Sequence, residues 1–403
     1  MFETDIPLVS IICGGVALLM AVAAIVFGLR PLRLTARHRD IGSLPAEAGC
    51  DEESGGQSEA KVLPRVSVIT YAKADRELTE RFLDSLMRQD YPDFEVIVVF
   101  DASPETADLL TEELAGKYPA VHFTFIPTES HNLSRPKLAV TVGIKATTGT
   151  VVVTTASNAV IPSARWISGL AAPFAGDNAT EVVLGYSHLD FSGMSGPGKW
   201  YRQFDSVLTA AQWMGAAIAG HPYRGDRYNL AFLRDTFYRN KGYAHSIYLH
   251  NGDDDLFVDE ISRGDNTALV LSPPTMLTMD WGDSADRVWS MRKDAYGFTA
   301  RWLPRRPFVR AGLTSAAQWG VPALCVAAAL TALPSVIPAI VCGMMLLAFW
   351  GIEIATYRRT AARLDAVRLW WAVVPFMMLR PVVNCIFKAR HHSQRVKNYT
   401  WQR

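Results

Sequence analysis

Three carboxylates stand side by side in Asn251-Gly252-Asp253-Asp254-Asp255-Leu256-Phe257. Adjacent like charges repel, so such a run belongs either to a solvated turn or to a site that meets a cation or a proton. Gly252 allows a tight turn just before the acids. The apolar Leu256-Phe257-Val258 that follows can anchor a helix to a core. The acids would then sit at the mouth of a pocket, where a carboxylate can act as general base toward a hydroxyl nucleophile. The cysteines offer no comparable chemistry. Cys13, Cys50, Cys325, Cys342 and Cys385 form no CxxC pair and no metal-ligand spacing, and three of them lie in apolar runs as small packing residues. Trp200, Tyr201, Trp213 and Met214 read mainly as core, with stacking on a sugar or a lipid as the alternative.

The elements that must position the acids begin at 65–71, Arg-Val-Ser-Val-Ile-Thr-Tyr, whose β-branched run suits a buried parallel strand. A helical stripe over 75–90 follows, then a strand at 94–100 ending at Asp101-Ala-Ser103, a helix over 106–118 and a strand at 121–126. A helix at 136–147 and a strand at 150–155 complete the series. Alternating strands and helices predict an α/β domain, a mainly parallel sheet flanked by helices. Ligands of such sheets bind beyond the carboxyl ends of the strands, which places Thr70, Asp101 and 156–158 on one rim.

Both ends of the chain are apolar. Residues 7–29 are almost free of charge, and roughly 20 residues suffice for a helix to cross a hydrocarbon core. Basic residues follow that run (Arg30, Arg33, Arg37, Arg39) and no small-x-small site ends it, which favours a retained anchor over a signal peptide. Residues 311–333 and 334–356 read as a transmembrane hairpin. A third run, 369–387, carries Arg380-Pro381 inside it and basic residues at both ends, and reads as interfacial or re-entrant. The chain thus divides into an anchor (1–29), a basic stretch and flexible linker (30–64), a soluble domain (65–310), a hairpin (311–356) and an in-plane segment with a basic tail (357–403). The placement of arginines predicts that the soluble domain lies in the cytoplasm, and the expected location is that of a multi-pass protein of a cell inner membrane. The matches to Asn-x-Ser/Thr at Asn132, Asn178 and Asn398 then lie inside and read as chance. A net charge of +1 gives no reason to expect a nucleic-acid partner.

Several ordered segments carry a resemblance. Val66-Ser-Val-Ile-Thr, Gln89-Asp-Tyr-Pro-Asp-Phe-Glu-Val-Ile-Val-Val, Asp101-Ala-Ser, Ser134-Arg-Pro-Lys-Leu-Ala-Val and Gly143-Ile-Lys-Ala resemble the family 2 glycosyltransferases. Val182-Val-Leu-Gly-Tyr186, Asn229-Leu-Ala-Phe232, Gly252-Asp-Asp-Asp-Leu-Phe257 and the closing Asn398-Tyr-Thr-Trp401 resemble a membrane-anchored bacterial branch of that family. The resemblance implies the GT-A nucleotide-sugar fold and a nucleotide-sugar donor. It implies that Thr70 and Tyr71 line the base pocket with Asp75 nearby, that Asp101 accepts hydrogen bonds from base or ribose, and that Lys137 approaches the diphosphate. Asp253 matches the family's general base, with Asp254 and Asp255 as neighbours.

Two departures qualify it. The family holds Mg²⁺ or Mn²⁺ with an Asp-x-Asp after the fourth strand, and here that place reads Thr155-Ala156-Ser157-Asn158. A methyl group and a neutral amide are poor replacements for hard anionic oxygens, so the usual divalent metal is doubtful and no metal ligands are assigned. Ser157 and Asn158 remain on the nucleotide side. The branch's Gln-Lys-x-Arg-His-like motif is altered in Trp289-Ser-Met-Arg-Lys-Asp-Ala-Tyr296, which keeps Lys293 and substitutes Arg292, Ala295 and Tyr296. Three readings follow. One is an inverting glycosyltransferase acting on a membrane-associated, lipid-linked acceptor, with Lys137, Arg292 and Lys293 in place of the metal. The second is a degenerate relative that serves as membrane partner of an active enzyme. The third, a processive polysaccharide synthase, lacks the Gln-x-x-Arg-Trp motif and the extra membrane helices.

Overall fold

The structure, a computed structural model, describes residues 7–28, 63–126, 134–175 and 179–394. The linker at 42–61, the arginines at 30–39, Asn132, Asn178, Cys50 and the motif at 398–401 lie outside the described residues. The described chain forms two compact units.

The α/β unit opens with β1 (Val66–Lys73), α2 (Arg76–Leu86), β2 (Phe94–Asp101), α3 (Pro104–Ala115), β3 (Val121–Phe125), α4 (Arg135–Ala146) and β4 (Val151–Ala156), α1 being the N-terminal helix Leu8–Gly28 of the other unit. β4 is buried at every residue and β1 at all but two near its end, which is why they read as continuous apolar runs rather than alternations. The helix starts follow local chemistry. Asp75 caps α2 by accepting from the Leu78 amide at 3.0 Å, and Ser103 caps α3 with Pro104 in its first turn. β5 (Ala159–Val160), α5 (Trp166–Ala171), β6 (Val182–Leu184) and β7 (Ser187–Leu189) come next. After α6 (Pro197–Ile218) follow β8 (Leu230–Leu233), α7 (Arg234–Arg239), α8 (Leu256–Ile261), β9 (Thr267–Leu269), β10 (Leu277–Met279) and α9 (Ala285–Thr299).

The main sheet has seven strands in the order β3-β2-β1-β4-β8-β6-β9. β1 to β4 are mutually parallel, β8 is antiparallel to both β4 and β6, and β9 returns parallel to β6. A separate three-stranded sheet runs β5-β10-β7. The expected mainly parallel sheet is present. From β1 the chain builds outward to β2 and β3, then crosses back to place β4 on the other flank of β1. That reversal opens a crevice beyond the carboxyl ends of β1 and β4, the usual ligand position of such sheets.

The second unit holds α1, residues Gly196–Gly215 with most of α6, and α10 (Arg305–Thr331), α11 (Ile337–Arg363) and α12 (Val373–Gln394). Four of its segments are long and apolar enough to cross a membrane: Leu8–Val26, Arg305–Thr331, Ile337–Arg363 and Trp370–Arg390. Small residues let α1 and α10 approach closely: Ala17, Ala21 and Ala24 are buried in one cluster with Ala317, Val321, Cys325 and Ala328. Two features differ from the division read in the sequence. α10 begins at Arg305, several residues before 311: Pro304 stands at its N-cap, and Pro307 falls in the first turn, where a missing N–H breaks no intrahelical bond. Residues Gly196–Gly215, read as soluble domain, belong to the apolar unit, where Asp205 pairs with Arg380 at 2.8 Å and Phe204 packs against Tyr357.

Candidate active site

The β1/β4 crevice is an open cavity of about 580 Å³, lined among others by Tyr71, Lys73, Asp75, Arg81, Ser157 and Asn158. Its floor follows from strand register: Tyr71 pairs with Ala156, and the Ser157 amide donates to the Tyr71 carbonyl at 3.0 Å. Tyr71 also lines a second, smaller cavity with Thr155, Arg227, Tyr228, Tyr243 and Asp253. At the β2 end, Asp101 accepts from the Tyr71 hydroxyl on one oxygen and from Arg135 on the other, Nε at 2.9 Å. Burial pushes the Asp101 carboxyl up, but Arg135 and Tyr71 outweigh it and hold the group below the usual carboxylate range. Burial, with the Asp101 contact, raises the Tyr71 phenol.

The acidic run lies at the centre of a buried network of opposite charges. Gly252 takes φ +99°, a left-handed conformation that other residues avoid, and so turns the chain into Asp253. Asp255 caps α8, accepting from the Leu256 amide at 2.8 Å and from Thr299, with Arg224 at 3.5 Å. Burial, then the neighbouring Asp254, pushes Asp255 up to about 6. Asp254 accepts from the Tyr296 hydroxyl at 3.2 Å, and Arg292 donates to that same hydroxyl at 2.9 Å. Arg224 stacks 3.6 Å from the Tyr296 ring centroid. Asp226, fully buried, accepts from the amides of Ser187 and Tyr228 and pairs with Arg292 at 3.3 Å. Asp253 pairs with Arg227 at 2.7 Å through Oδ2, while Oδ1 has no hydrogen-bond partner among the described residues. Burial pushes the Asp253 carboxyl above the usual carboxylate range; the Arg227 guanidinium offsets this only in part, and Asp254 adds to it.

Of the residues nominated from the sequence, Tyr71, Asp75, Ser157 and Asn158 line the larger cavity and Asp253 the smaller. Asp101 joins them through Tyr71, and Asp254 and Arg292 share the charged network. Three are placed otherwise. Thr70 is fully buried in β1, its hydroxyl without a partner among the described residues, and does not line the larger cavity. Lys137 is fully buried, and its ammonium donates to the carbonyls of Ser246, Leu249 and Asn251 at 2.6, 3.2 and 2.8 Å. Those bonds pin the loop that delivers Gly252, and burial pushes the ammonium down to about 8. Lys293 lies against Trp289, 5.3 Å from the ring, one residue and about 100° around the helix from Arg292. Arg135, Arg224, Asp226, Arg227 and Thr299 were not singled out in the sequence. The signal available was Arg224-Gly-Asp-Arg-Tyr228, a charged run separated only by Asn229 from the apolar Leu230–Leu233.

The divalent metal usual for such sheets does not fit these residues. Ala156 offers a methyl group, Asn158 turns its Nδ2 to the Asp280 carbonyl at 2.9 Å, and Asp280 pairs with Arg81 at 3.0 Å. Among the described residues no cluster of His, Cys, Asp and Glu could hold a metal ion.

Residues 66–222 match the family model described as Glycosyl transferase family 2. Comparison with curated proteins returned no match. Among solved structures the chain is similar to the mannosyltransferase PcManGT from Pyrobaculum calidifontis in complex with GDP-Man and Mn²⁺, at 19% identity over 94% of this chain and 99% of that one, with a TM-score of 0.53. Weaker likenesses are to S. aureus TarS 1-349 (14% identity, 84% and 93% covered, TM-score 0.41) and to glucosyl-3-phosphoglycerate synthase from Mycobacterium tuberculosis (16%, 59% and 80%, 0.39). The fold is GT-A, that of the nucleotide-sugar transferases. Over residues 66–222 the chain matches the family 2 glycosyltransferases, as its ordered motifs led one to expect.

Proposed function

We propose that the chain is a membrane-bound inverting glycosyltransferase that moves a sugar from a nucleotide-sugar donor to a membrane-associated, lipid-linked acceptor without a divalent metal. The observation that carries this reading is Asp253, a buried carboxylate with Oδ2 held by Arg227 at 2.7 Å and Oδ1 unpartnered. A carboxylate so held keeps one oxygen to take a proton. In the reaction, Oδ1 removes the proton of the acceptor hydroxyl, whose oxygen bonds to the anomeric carbon. The bond from that carbon to the nucleoside diphosphate breaks, and the diphosphate leaves with the electron pair. A single displacement inverts the anomeric configuration.

The donor's nucleotide would occupy the β1/β4 crevice, against Tyr71, Asp75, Ser157 and Asn158. Charge on the departing diphosphate needs cations that reach the cavity. Arg227 lines the smaller cavity beside Asp253 with its side chain 25% exposed; Arg292, in the same charged network, is 20% exposed, against 6% for Arg224, so these two guanidiniums are offered for the task. Lys137 serves instead as the clamp of the acidic loop. Tethering the domain to a bilayer raises the effective concentration of a lipid-borne acceptor. The topology proposed with this activity is an N-terminal span, a C-terminal hairpin and an in-plane last segment at the inner membrane, with the catalytic domain cytoplasmic.

One observation favours the second reading, a catalytically degenerate membrane partner of an active enzyme: both oxygens of Asp101 are already taken, by Arg135 and Tyr71. Calorimetric titration of the purified chain with nucleoside diphosphates, with and without Mn²⁺, separates the two. Binding that is indifferent to Mn²⁺ is expected. An absence of binding under both conditions would sink the transferase reading and leave the partner.

A further inference from the structure

The last two turns of α11 present a face that the transferase reading does not use. Ala355, Arg358, Arg359 and Ala362 fall at helical spacing on one side, and Arg368 from the following turn faces them across an open cavity of about 400 Å³. The two alanines leave the room, and none of the lining residues is acidic. The third arginine comes from a built turn. Asp365 takes φ +48°, the Ala366 amide donates to the Ala361 carbonyl at 2.8 Å, and the Tyr357 hydroxyl donates to the Val367 carbonyl at 3.3 Å. Other arginines in the same chain, at 224, 227, 239, 292 and 380, are paired with carboxylates. Among the described residues, Arg358, Arg359 and Arg368 have no such pairing.

We propose that this cleft binds the phosphate of an anionic membrane lipid. The place fits. From Ile337 to the first of these turns α11 runs roughly 27 Å at 1.5 Å per residue, close to a hydrocarbon core of about 30 Å. Its outer face over that length is exposed and apolar, at Ile340, Met344 and Leu347. Trp370 and Trp371, beside Arg368, are each more than half exposed, as is usual where acyl chains give way to headgroups. The general excess of arginine on one side of a membrane protein asks only for charge somewhere on that side. It does not account for three guanidiniums converging on a concavity walled by alanine. The planar guanidinium fork matches phosphate oxygens two at a time. A phosphate reaching this level of the bilayer with its acyl chains against α11 is that of a lipid.

The proposal rests on the reading that α11 crosses a membrane, and the test separates the two. Full-length protein is first floated with phosphatidylcholine vesicles, then exchanged into mixed micelles of phosphatidylcholine and phosphatidylglycerol, and the bound lipid is counted by native mass spectrometry. The parent is expected to float and to prefer phosphatidylglycerol. R358Q/R359Q/R368Q should still float but lose that preference by about ten-fold or more, given roughly five-fold per basic residue near an anionic surface. R305Q/R306Q/R310Q, which removes equal charge from the start of α10, should keep it. Equal losses in both triple variants would mean diffuse attraction and overturn the site. Displacement of the bound lipid by low millimolar inorganic phosphate would overturn it in favour of a soluble anion. A parent that fails to float would overturn the membrane reading and the site together, whereas a floating parent without lipid preference would overturn the site alone.

Discussion

Asp253 has two unlike oxygens, and that asymmetry is what the proposed chemistry uses. Burial alone would drive the carboxyl toward its neutral form, which accepts no proton, and Arg227 opposes this from 2.7 Å. Besides facing the diphosphate, Arg227 therefore acts through Asp253 by holding its base form. Replacing it with Met removes the charge that lowers the Asp253 pKa, so the base form is reached only at higher pH. The acidic limb of the rate profile should move upward in R227M and largely return in R227K. A limb unmoved in R227M, read from kcat/KM against pH, would remove Arg227 from this role. A second expectation concerns the methyl and amide at the end of β4. In the double variant Ala156→Asp, Asn158→Asp, two carboxylates would supply the hard oxygens a divalent cation takes, and nucleotide affinity should become dependent on Mn²⁺. Without metal the new acids would meet Lys73 and Arg81 in the same cavity and lower that affinity. A double variant that titrates like its parent throughout a Mn²⁺ series would show that 156 and 158 do not face the diphosphate.

At the scale of elements, the acidic loop is held from α4. Ser134, just before that helix, donates to the His250 carbonyl at 3.0 Å, and Lys137 in its first turn donates to three more carbonyls. Buried carbonyls without donors are costly, so Lys137→Met should destabilise the α/β unit by about 3 kcal/mol. Hydrogen exchange should rise first over 246–256. The same lysine makes stability depend on pH. Burial pushes its ammonium down to about 8 when folded, against an ordinary 10.5, so the unfolded chain holds the proton more tightly between those limits. Stability should therefore rise with pH across that window, and thermal unfolding of the Met variant should lack this slope. Equal slopes in parent and variant would contradict the burial of the ammonium.

For the whole molecule the expectation is topological. With basic residues after the first span, from the last turns of α11 to Arg368 and in the tail, the C-terminus is expected on the cytoplasmic side. A phosphatase reporter fused after Arg403 should be inactive and a cytoplasmic fluorescent reporter bright. The reverse pattern would overturn the proposed orientation. The apolar unit also carries a polar joint. Arg380 donates to Asp205 at 2.8 Å and to Thr209 at 3.2 Å, which satisfies a charge placed mid-helix beside Pro381. An arginine inside an apolar helix is costly without such partners.

The sequence by itself determined the α/β alternation, because β1 and β4 are buried on both faces and their apolar runs need no tertiary context to be recognised. It also determined the helix start at Asp75, since a cap is a contact between residues three apart, whereas the helix read over 106–118 begins earlier, at Pro104 behind the Ser103 cap. The acidic run at Asp253 stood out for a local reason too, like charges beside a glycine that turns the chain. Tertiary structure alone decided what those charges meet. Arg224 and Arg227 reach Asp255 and Asp253 from one segment, and Arg292, Tyr296 and Thr299 come from another. Periodicity gives no sign of such a pairing. It decided that Lys137 turns inward to carbonyls more than a hundred positions away. It decided that Asp205 belongs with Arg380, 175 positions on. A buried charge is placed by the partner that compensates its lost hydration, and that partner is set by how the elements pack, not by its distance along the chain.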